Sequence, residues 1–87
     1  MTDLQTLPGG TNSFTAGINE RGNIVGGSET VDGQRAALWR NGRVINLGTL
    51  EGDVFSEATA INNRGDIVGE SCGEAVCHAV LWTRRDR

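Results

Sequence analysis

Apolar and polar positions recur along this chain with a period of 43 residues. When the sequence is shifted by 43 positions against itself, 16 of the 44 overlapping positions are identical and no gap is needed. Chance identity for this composition is roughly three positions, so we infer an internal duplication. The pattern predicts a single repeat domain over residues 1–87, with repeats at about 2–44 and 45–87. The identical positions of the first repeat are Leu4, Thr6, Leu7, Gly9, Ser13, Ile18, Asn19, Arg21, Gly22, Ile24, Val25, Gly26, Ser28, Ala36, Leu38 and Trp39.

Turn signals divide each repeat into short strands. In the first repeat, apolar and β-branched runs between these signals predict four strands, which would form an antiparallel meander. The second repeat contains the same signals for its first three strands, and its third strand is predicted near residues 78–83. The four strands predicted for the first repeat cover residues 14–18, 23–28, 35–40 and 43–47.

Asparagine and glycine occupy the predicted turns. The dipeptide Asn41-Gly42 is the strongest short hairpin signal in the chain, and Asp32-Gly33 is a second. The first connection of each repeat begins with Asn and ends with Gly, which suits a side chain that bonds nearby backbone and a residue in left-handed conformation. Residues 64–66 spell an adhesion tripeptide, but the same place in the first repeat favours a purely structural turn. The predicted structural turn residues are Asn19, Gly22, Asn41, Gly42, Asn62 and Gly65.

The third strand of each repeat indicates how the sheets pack. Residues 36–39 and 79–82 are apolar without alternation, which is typical of a strand covered on both faces. An all-β fold of two four-stranded antiparallel meanders, resembling β-propeller blades, is therefore predicted. A small eight-stranded β-sandwich or barrel is the alternative. Residues 3–7 align with the fourth-strand segment 46–50, so they are predicted to form a strand that completes the last blade of a ring.

Composition excludes several functions. The net charge is −3 and the eight basic residues are all arginine, a balance that argues against nucleic-acid binding. The longest apolar run, residues 36–39, is far shorter than the roughly 20 residues of a membrane span. The first residues have neither a basic start nor an apolar core, so no signal peptide is expected.

Three motifs in the second repeat resemble a known family. They are residues 47–50 (Leu-Gly-Thr-Leu), 61–69 (Ile-Asn-Asn-Arg-Gly-Asp-Ile-Val-Gly) and 78–82 (His-Ala-Val-Leu-Trp). Together they resemble the HAF repeat of bacterial proteins. The first repeat matches less closely, with Gln5 for the first Gly and residues 35–37 as Arg-Ala-Ala. The resemblance implies an extracellular or cell-surface location and no defined activity; without a signal peptide, a cytoplasmic location stays open.

A few side chains suggest chemistry. Cys72 and Cys77 flank the predicted tip of a hairpin, and an even, close pair in a secreted chain favours a disulfide. Two free thiols, or a metal site that adds His78, are the alternatives. Trp39 and Trp82 would stack on a ligand if exposed, but are more typical of a core. His78 is the only histidine, and no nucleophile is paired with it.

The expected function is therefore non-catalytic, without cofactor or metal. A scaffold or binding module of a bacterial secreted or surface protein comes first, with an unknown protein or carbohydrate ligand. A purely structural spacer is the alternative, and a hydrolase using His78 is a remote one. Two blades cannot close a ring, so the chain is expected to self-associate or to continue with further repeats.

Overall fold

Within residues 1–84, the fold consists of seven strands in two antiparallel sheets. A computed structural model describes residues 1–84. The first sheet has the order β1-β2-β3-β4 and the second has the order β5-β6-β7. Both are antiparallel meanders, as the repeat pattern predicts, and they do not close into a barrel. The prediction of four strands in each is wrong for the second sheet, which has three because residues 1–84 contain no counterpart of the fourth strand there. The strands are β1 Ser13–Ile18, β2 Ile24–Thr30, β3 Gly33–Arg40, β4 Arg43–Gly48, β5 Phe55–Ile61, β6 Ile67–Cys72 and β7 Cys77–Trp82.

The duplication extends to the details of strand pairing. The pair β1–β2 has an irregularity between Thr15 and Gly17, and β5–β6 has one between Ala58 and Ala60, the positions 43 residues later. An extra residue of this kind bends a strand and increases its twist. The two sheets therefore have the same local shape at the same place.

The main core lies between the two sheets. The face of the first sheet that contacts the second, called here its inner face, contributes Val25, Ala36 and Leu38, each at most 1% exposed. The second sheet's inner face contributes Ala58 and Ile67, both fully buried. Strand β5 lies across β2 and β3 of the first sheet. The half-buried residues that surround this cluster are Ile45, Leu47, Ile61 and Trp82.

A second, smaller cluster covers the outer face of the first sheet. Leu7, Ala37 and Trp39 are buried there, with Leu4 packed against them. Residues 36–39 are thus buried on both faces of β3, as predicted. The prediction of a strand at residues 3–7 is wrong, because no neighbouring strand lies beside this segment and it packs across the sheet instead.

Two further predictions need correction. The prediction that β7 is covered on both faces is wrong: Ala79 and Leu81 are exposed, because within residues 1–84 no other sheet covers the outer face of the second sheet. The turn between β2 and β3 is formed by residues 31–32 and not by Asp32-Gly33. Gly33 pairs with Thr30 and has a φ of 115°, so it follows the turn in the conformation that a glycine adopts easily.

Candidate interaction surfaces

The outer face of the second sheet is the largest difference between the two repeats. We call this surface, formed by Val68, Ala79 and Leu81, the open face. Val68 is 45% exposed and Leu81 is 57% exposed. Their counterparts in the first sheet, Val25 and Leu38, are 0% and 1% exposed because the second sheet covers them. Identical side chains on equivalent strands are therefore buried in one repeat and open to solvent in the other.

The outer face of the first sheet is also partly open. Ile18 is 65% exposed, whereas its counterpart Ile61 is half-buried against the core between the sheets. Ser13 is exposed, and its counterpart Ser56 is fully buried. Two of the residues that the second sheet uses to contact the first, Ser56 and Ile61, thus have exposed counterparts of the same type on the first sheet.

Ser56 joins the two sheets by hydrogen bonds. Its Oγ accepts a bond from the backbone N–H of Ala36 at 2.8 Å and donates one to the carbonyl oxygen of Gly48 at 2.7 Å. Gln34 adds a bond from its Nε2 to the Ser56 carbonyl at 3.2 Å. Because Ala36 N–H and Ser56 are fully buried, these bonds satisfy groups that water cannot reach.

The first turns of the two repeats also bond to each other. The Nδ2 of Asn19 donates to the carbonyl oxygen of Asn62 at 3.0 Å, across 43 residues of sequence. The backbone N–H of Glu20 donates to the Oδ1 of Asn63 at 2.9 Å. In the second repeat, which has no such neighbour here, the Nδ2 of Asn62 donates to Asp66 of its own turn at 3.4 Å.

Residues 3–7 reproduce the conformation of residues 46–50 without forming a strand. The N–H of Gln5 donates to the Oδ1 of Asp3 at 2.8 Å, and that of Gly48 donates to the Oδ1 of Asn46 at 2.8 Å. Gln5 has a φ of 73° and Gly48 a φ of 81°. A positive φ is uncommon for a residue other than glycine, so Gln5 keeps the backbone conformation of the equivalent Gly48 although it is not a glycine.

Hydrogen bonds to serine fix both segments on the sheets that they cover. The N–H of Leu7 donates to the Oγ of Ser28 at 2.8 Å, and the N–H of Leu50 donates to the Oγ of Ser71 at 2.9 Å. Ser28 and Ser71 are nearly or fully buried. Residues 3–7 therefore lie on the first sheet in the same way as residues 46–50 lie on the second.

The predicted turn residues all lie in turns. Asn41 and Gly42 have φ values of 52° and 76°, the pair of positive angles that a type I′ turn needs. In the first connection of the first repeat, the Oδ1 of Asn19 accepts bonds from the N–H groups of Arg21 and Asn23, both at 3.0 Å. Gly22 follows with a φ of 82°.

The second repeat builds its first connection in the same way. The Oδ1 of Asn62 accepts bonds from the N–H groups of Arg64 at 3.0 Å and Asp66 at 2.9 Å. Gly65, between these two residues, has a φ of 92°. Residues 64–66 are therefore used by the fold as a tight turn, the structural alternative to an adhesion motif.

Arginine is concentrated at one end of the two sheets. In an antiparallel meander every second turn lies at the same end, and here that end holds residues 19–23, 40–43, 62–66 and 83–84. We call it the arginine end. It carries five of the six arginines among residues 1–84, together with Glu20 and Asp66. The opposite end carries Asp32, Glu51, Asp53 and Glu74, with Arg35 as its only arginine among the described residues.

Two adjoining clefts lie at the arginine end. One, of about 240 Å³, is lined by arginines from both repeats together with Asn23 and Asn41. The other, of about 610 Å³, is shallower and also contains Asp66. The arginines of the first cleft are Arg21, Arg40, Arg64 and Arg84.

The two cysteines form a disulfide in the structure. Cys72 and Cys77 are cross-strand partners at the tip of the β6–β7 hairpin, with Cα atoms 4.0 Å apart. Their sulfur atoms are therefore engaged and do not form a metal site with His78. Within residues 1–84, no three His, Cys, Asp or Glu side chains are grouped so that they could hold a metal ion.

The remaining predicted side chains are the two tryptophans and His78. Trp39 is 4% exposed and its Nε1 donates to the carbonyl oxygen of Gln5 at 3.2 Å, so it is a core residue. Trp82 is half-buried at the edge of the core between the sheets. His78 is exposed opposite Ser71, but the Ser71 hydroxyl donates to the Oδ2 of Asp53 at 2.6 Å and not to the imidazole.

One carboxylate has a perturbed acidity. The hydroxyl of Thr11 donates to Glu29 at 2.9 Å, and the Nδ2 of Asn12 donates to the same group at 3.3 Å. These bonds lower the pKa of Glu29, because they favour its ionised form. Glu29 is on the surface, and its bonds fix the loop before β1 to β2.

Comparisons with protein-family models, with curated protein sequences and with solved structures found no match to this chain. The resemblance to the HAF repeat therefore stays a prediction. Within residues 1–84, the fold contains no helix with the length and apolar character required to cross a bilayer.

Sequence reasoning missed both the open face and the arginine end. The repeat pattern and its turn signals predicted the strands. Residues that are identical in both repeats, however, do not indicate which repeat is covered by another sheet. The sequence does contain a signal for the arginine end. Four of its arginines lie in or beside every second turn of the predicted meanders, and such turns fall at the same end of the sheets.

Proposed function

We propose that this chain is a non-catalytic β-repeat scaffold that assembles with itself through the open face. The observation that carries the proposal is the pair of contrasts between Val25 and Val68 and between Leu38 and Leu81. The proposed occupant of the open face is a second copy of the chain. The outer face of the first sheet of that copy holds the same repeat positions as the inner face of the second sheet. Its Ser13 and Ile18 would then take the roles of Ser56 and Ile61.

The N-terminal segment of the second copy completes this interface. Residues 3–7 already have the conformation of residues 46–50, and they lie where a preceding fourth strand would lie. When the second copy docks, they come beside β7, the edge strand of the second sheet. Gln5 would then pair with Ala79 as Gly48 pairs with Ala36. An exposed strand edge with unpaired backbone groups favours such addition.

The assembly is proposed to be a closed ring of propeller-like blades. The contact joins different surfaces of two copies, and a contact of this type forms a ring when the rotation closes. Three chains would give six sheets and four chains would give eight. Support comes from the meander order, the face-to-face packing and the 43-residue period.

The compartment and ligand are proposed from weaker support. The resemblance to the HAF repeat favours a bacterial secreted or surface protein that displays a protein- or carbohydrate-binding surface. The Cys72–Cys77 disulfide is consistent with an oxidising environment. A spacer that holds other domains apart is the second candidate, and it would use the same assembly. A hydrolase using His78 has no supporting contact among the described residues.

A charge on the open face tests the proposal. Leu81→Asp should give a monomer in sedimentation velocity, because burying an unpaired carboxylate in the interface is unfavourable. Val31→Asp is the matched control, since Val31 is 82% exposed in the β2–β3 turn and lies outside the open face. Circular dichroism checks that both variants keep their strands. If Leu81→Asp sediments like the unmodified chain, the open face is not the interface.

A further inference from the structure

The arginine end carries positively charged side chains that do not pair with other described residues of the fold. The guanidinium groups of Arg21, Arg40, Arg64 and Arg84 form no hydrogen bond or ion pair within residues 1–84. Arg35, at the opposite end, shows the contrast. Its Nη1 donates to the carbonyl oxygens of Val54 at 2.7 Å and Gln34 at 3.0 Å, so it helps to hold the sheets together.

These four arginines line one cleft of about 240 Å³. Like charges in one cleft repel each other, and neither acid of this end forms an ion pair with them within residues 1–84. Glu20 is outside the cleft, while Asp66 lines only the wider neighbouring cleft and its Oδ2 accepts from Asn62 at 3.4 Å. A mobile anion that enters the cleft would meet an excess of positive charge.

The donor set defines the class of anion. A guanidinium group donates two parallel hydrogen bonds to a phosphate or carboxylate, and it holds its charge at any physiological pH. Asn23 and Asn41 can add amide donors at the same cleft. Because Arg21 and Arg64 are the same position of successive repeats, the cleft spans two units and suits an anion with several charged groups.

We propose that the arginine end binds a compact multivalent oxyanion, with Arg21 and Arg64 as its principal ligands. The site is built by the two sheets of one chain, so it does not depend on the assembly described above. Phosphate and carboxylate groups share the chemistry that this cleft recognises.

Isothermal titration calorimetry at low ionic strength tests the proposal, with sodium tripolyphosphate and sodium citrate as probes. The double variant Arg21→Gln/Arg64→Gln should weaken binding about tenfold or more, because it removes two charge-assisted donors. The control Ala75→Glu/Val76→Glu makes the same change in net charge at the exposed β6–β7 tip and should bind as the unmodified chain does. Thermal denaturation verifies that both variants fold.

Each result decides one point. Binding of both probes supports a general oxyanion site, and binding of tripolyphosphate alone assigns the site to phosphate. Binding of citrate alone assigns the site to carboxylate. If neither probe binds, or if the control variant loses affinity as much as the arginine variant does, the proposal is overturned. A changed particle mass in the arginine variant, without a change in anion affinity, would instead assign these arginines to contacts between copies.

Discussion

At the scale of single residues, some positions hold the same side chain in both repeats, but only one of the two copies makes a contact between the sheets. Ser13 and Ser56 occupy the same position, yet only Ser56 is buried and bonded to the other sheet. The pair separates the effect of the side chain from the effect of its surroundings.

Ser56→Ala should lower the free energy of unfolding by about 1–3 kcal/mol, because the buried N–H of Ala36 loses its acceptor. Ser13→Ala should change it by less than about 0.5 kcal/mol, as expected for an exposed position. Urea denaturation of both variants, at a concentration where the chain is monomeric, measures the difference. Equal losses for the two variants would contradict the role of Ser56 between the sheets.

The Asn41-Gly42 turn allows a test of backbone strain alone. A Cβ at Gly42 would meet no atom within 4 Å, so a substitution there changes only the conformational preference at a φ of 76°. Gly42→Val should destabilise the chain by about 1 kcal/mol or more, since β-branched residues rarely adopt positive φ. Gly42→Asn should cost less, because Asn tolerates this conformation. An unchanged melting temperature for the valine variant would contradict the turn assignment.

At the scale of elements, close packing of adjacent strands explains why glycine recurs in β2 and β6. A Cβ on Gly69 would overlap the carbonyl oxygen of Glu57 on β5, and Gly26 has the same relation to Phe14 on β1. Both glycines lie next to the irregularity in strand pairing. The bent strand approaches so closely there that only a hydrogen atom fits.

Gly69→Ala should therefore destabilise the chain by about 1–3 kcal/mol, because the backbone of β5 must shift. Gly17→Ala is the matched control. Its Cβ would lie 3.5 Å or more from other atoms, and the second repeat already has Ala60 at that position. Thermal unfolding followed by circular dichroism compares the two. A neutral Gly69→Ala variant would mean that the strands are farther apart than described.

The sequence predicted the elements better than their surroundings. The ends of the strands agree with the prediction within two residues, since turn residues such as Asn41 and Gly42 specify local conformation. The non-alternating apolar run of residues 79–82 predicts that Leu81 is buried, but Leu81 is exposed because burial depends on what packs against a face. Likewise, residues 3–7 have the local conformation of residues 46–50 but form no strand, because pairing requires a partner chain segment. The arginine end depends on the order of strands, so no single motif predicted it.

At the scale of the whole molecule, the chain presents two different surfaces that match the two sides of its own internal contact. The open face of the second sheet holds the same repeat positions as the inner face of the first sheet. In the same way, the outer face of the first sheet holds the same repeat positions as the inner face of the second. Exposed apolar side chains on a sheet with a free edge favour association. Since the surfaces differ, the proposed association would be head to tail.

The mass of the particle in solution tests this account most directly. Sedimentation equilibrium of the 87-residue chain at tens of micromolar should give three times the chain mass of 9.2 kDa, or four times if the ring has eight sheets. Such a mass is expected because each copy covers the open face of the next. A cooperatively folded monomer of 9.2 kDa at the same concentration would contradict the account, since the two sheets would then be stable with the open face exposed.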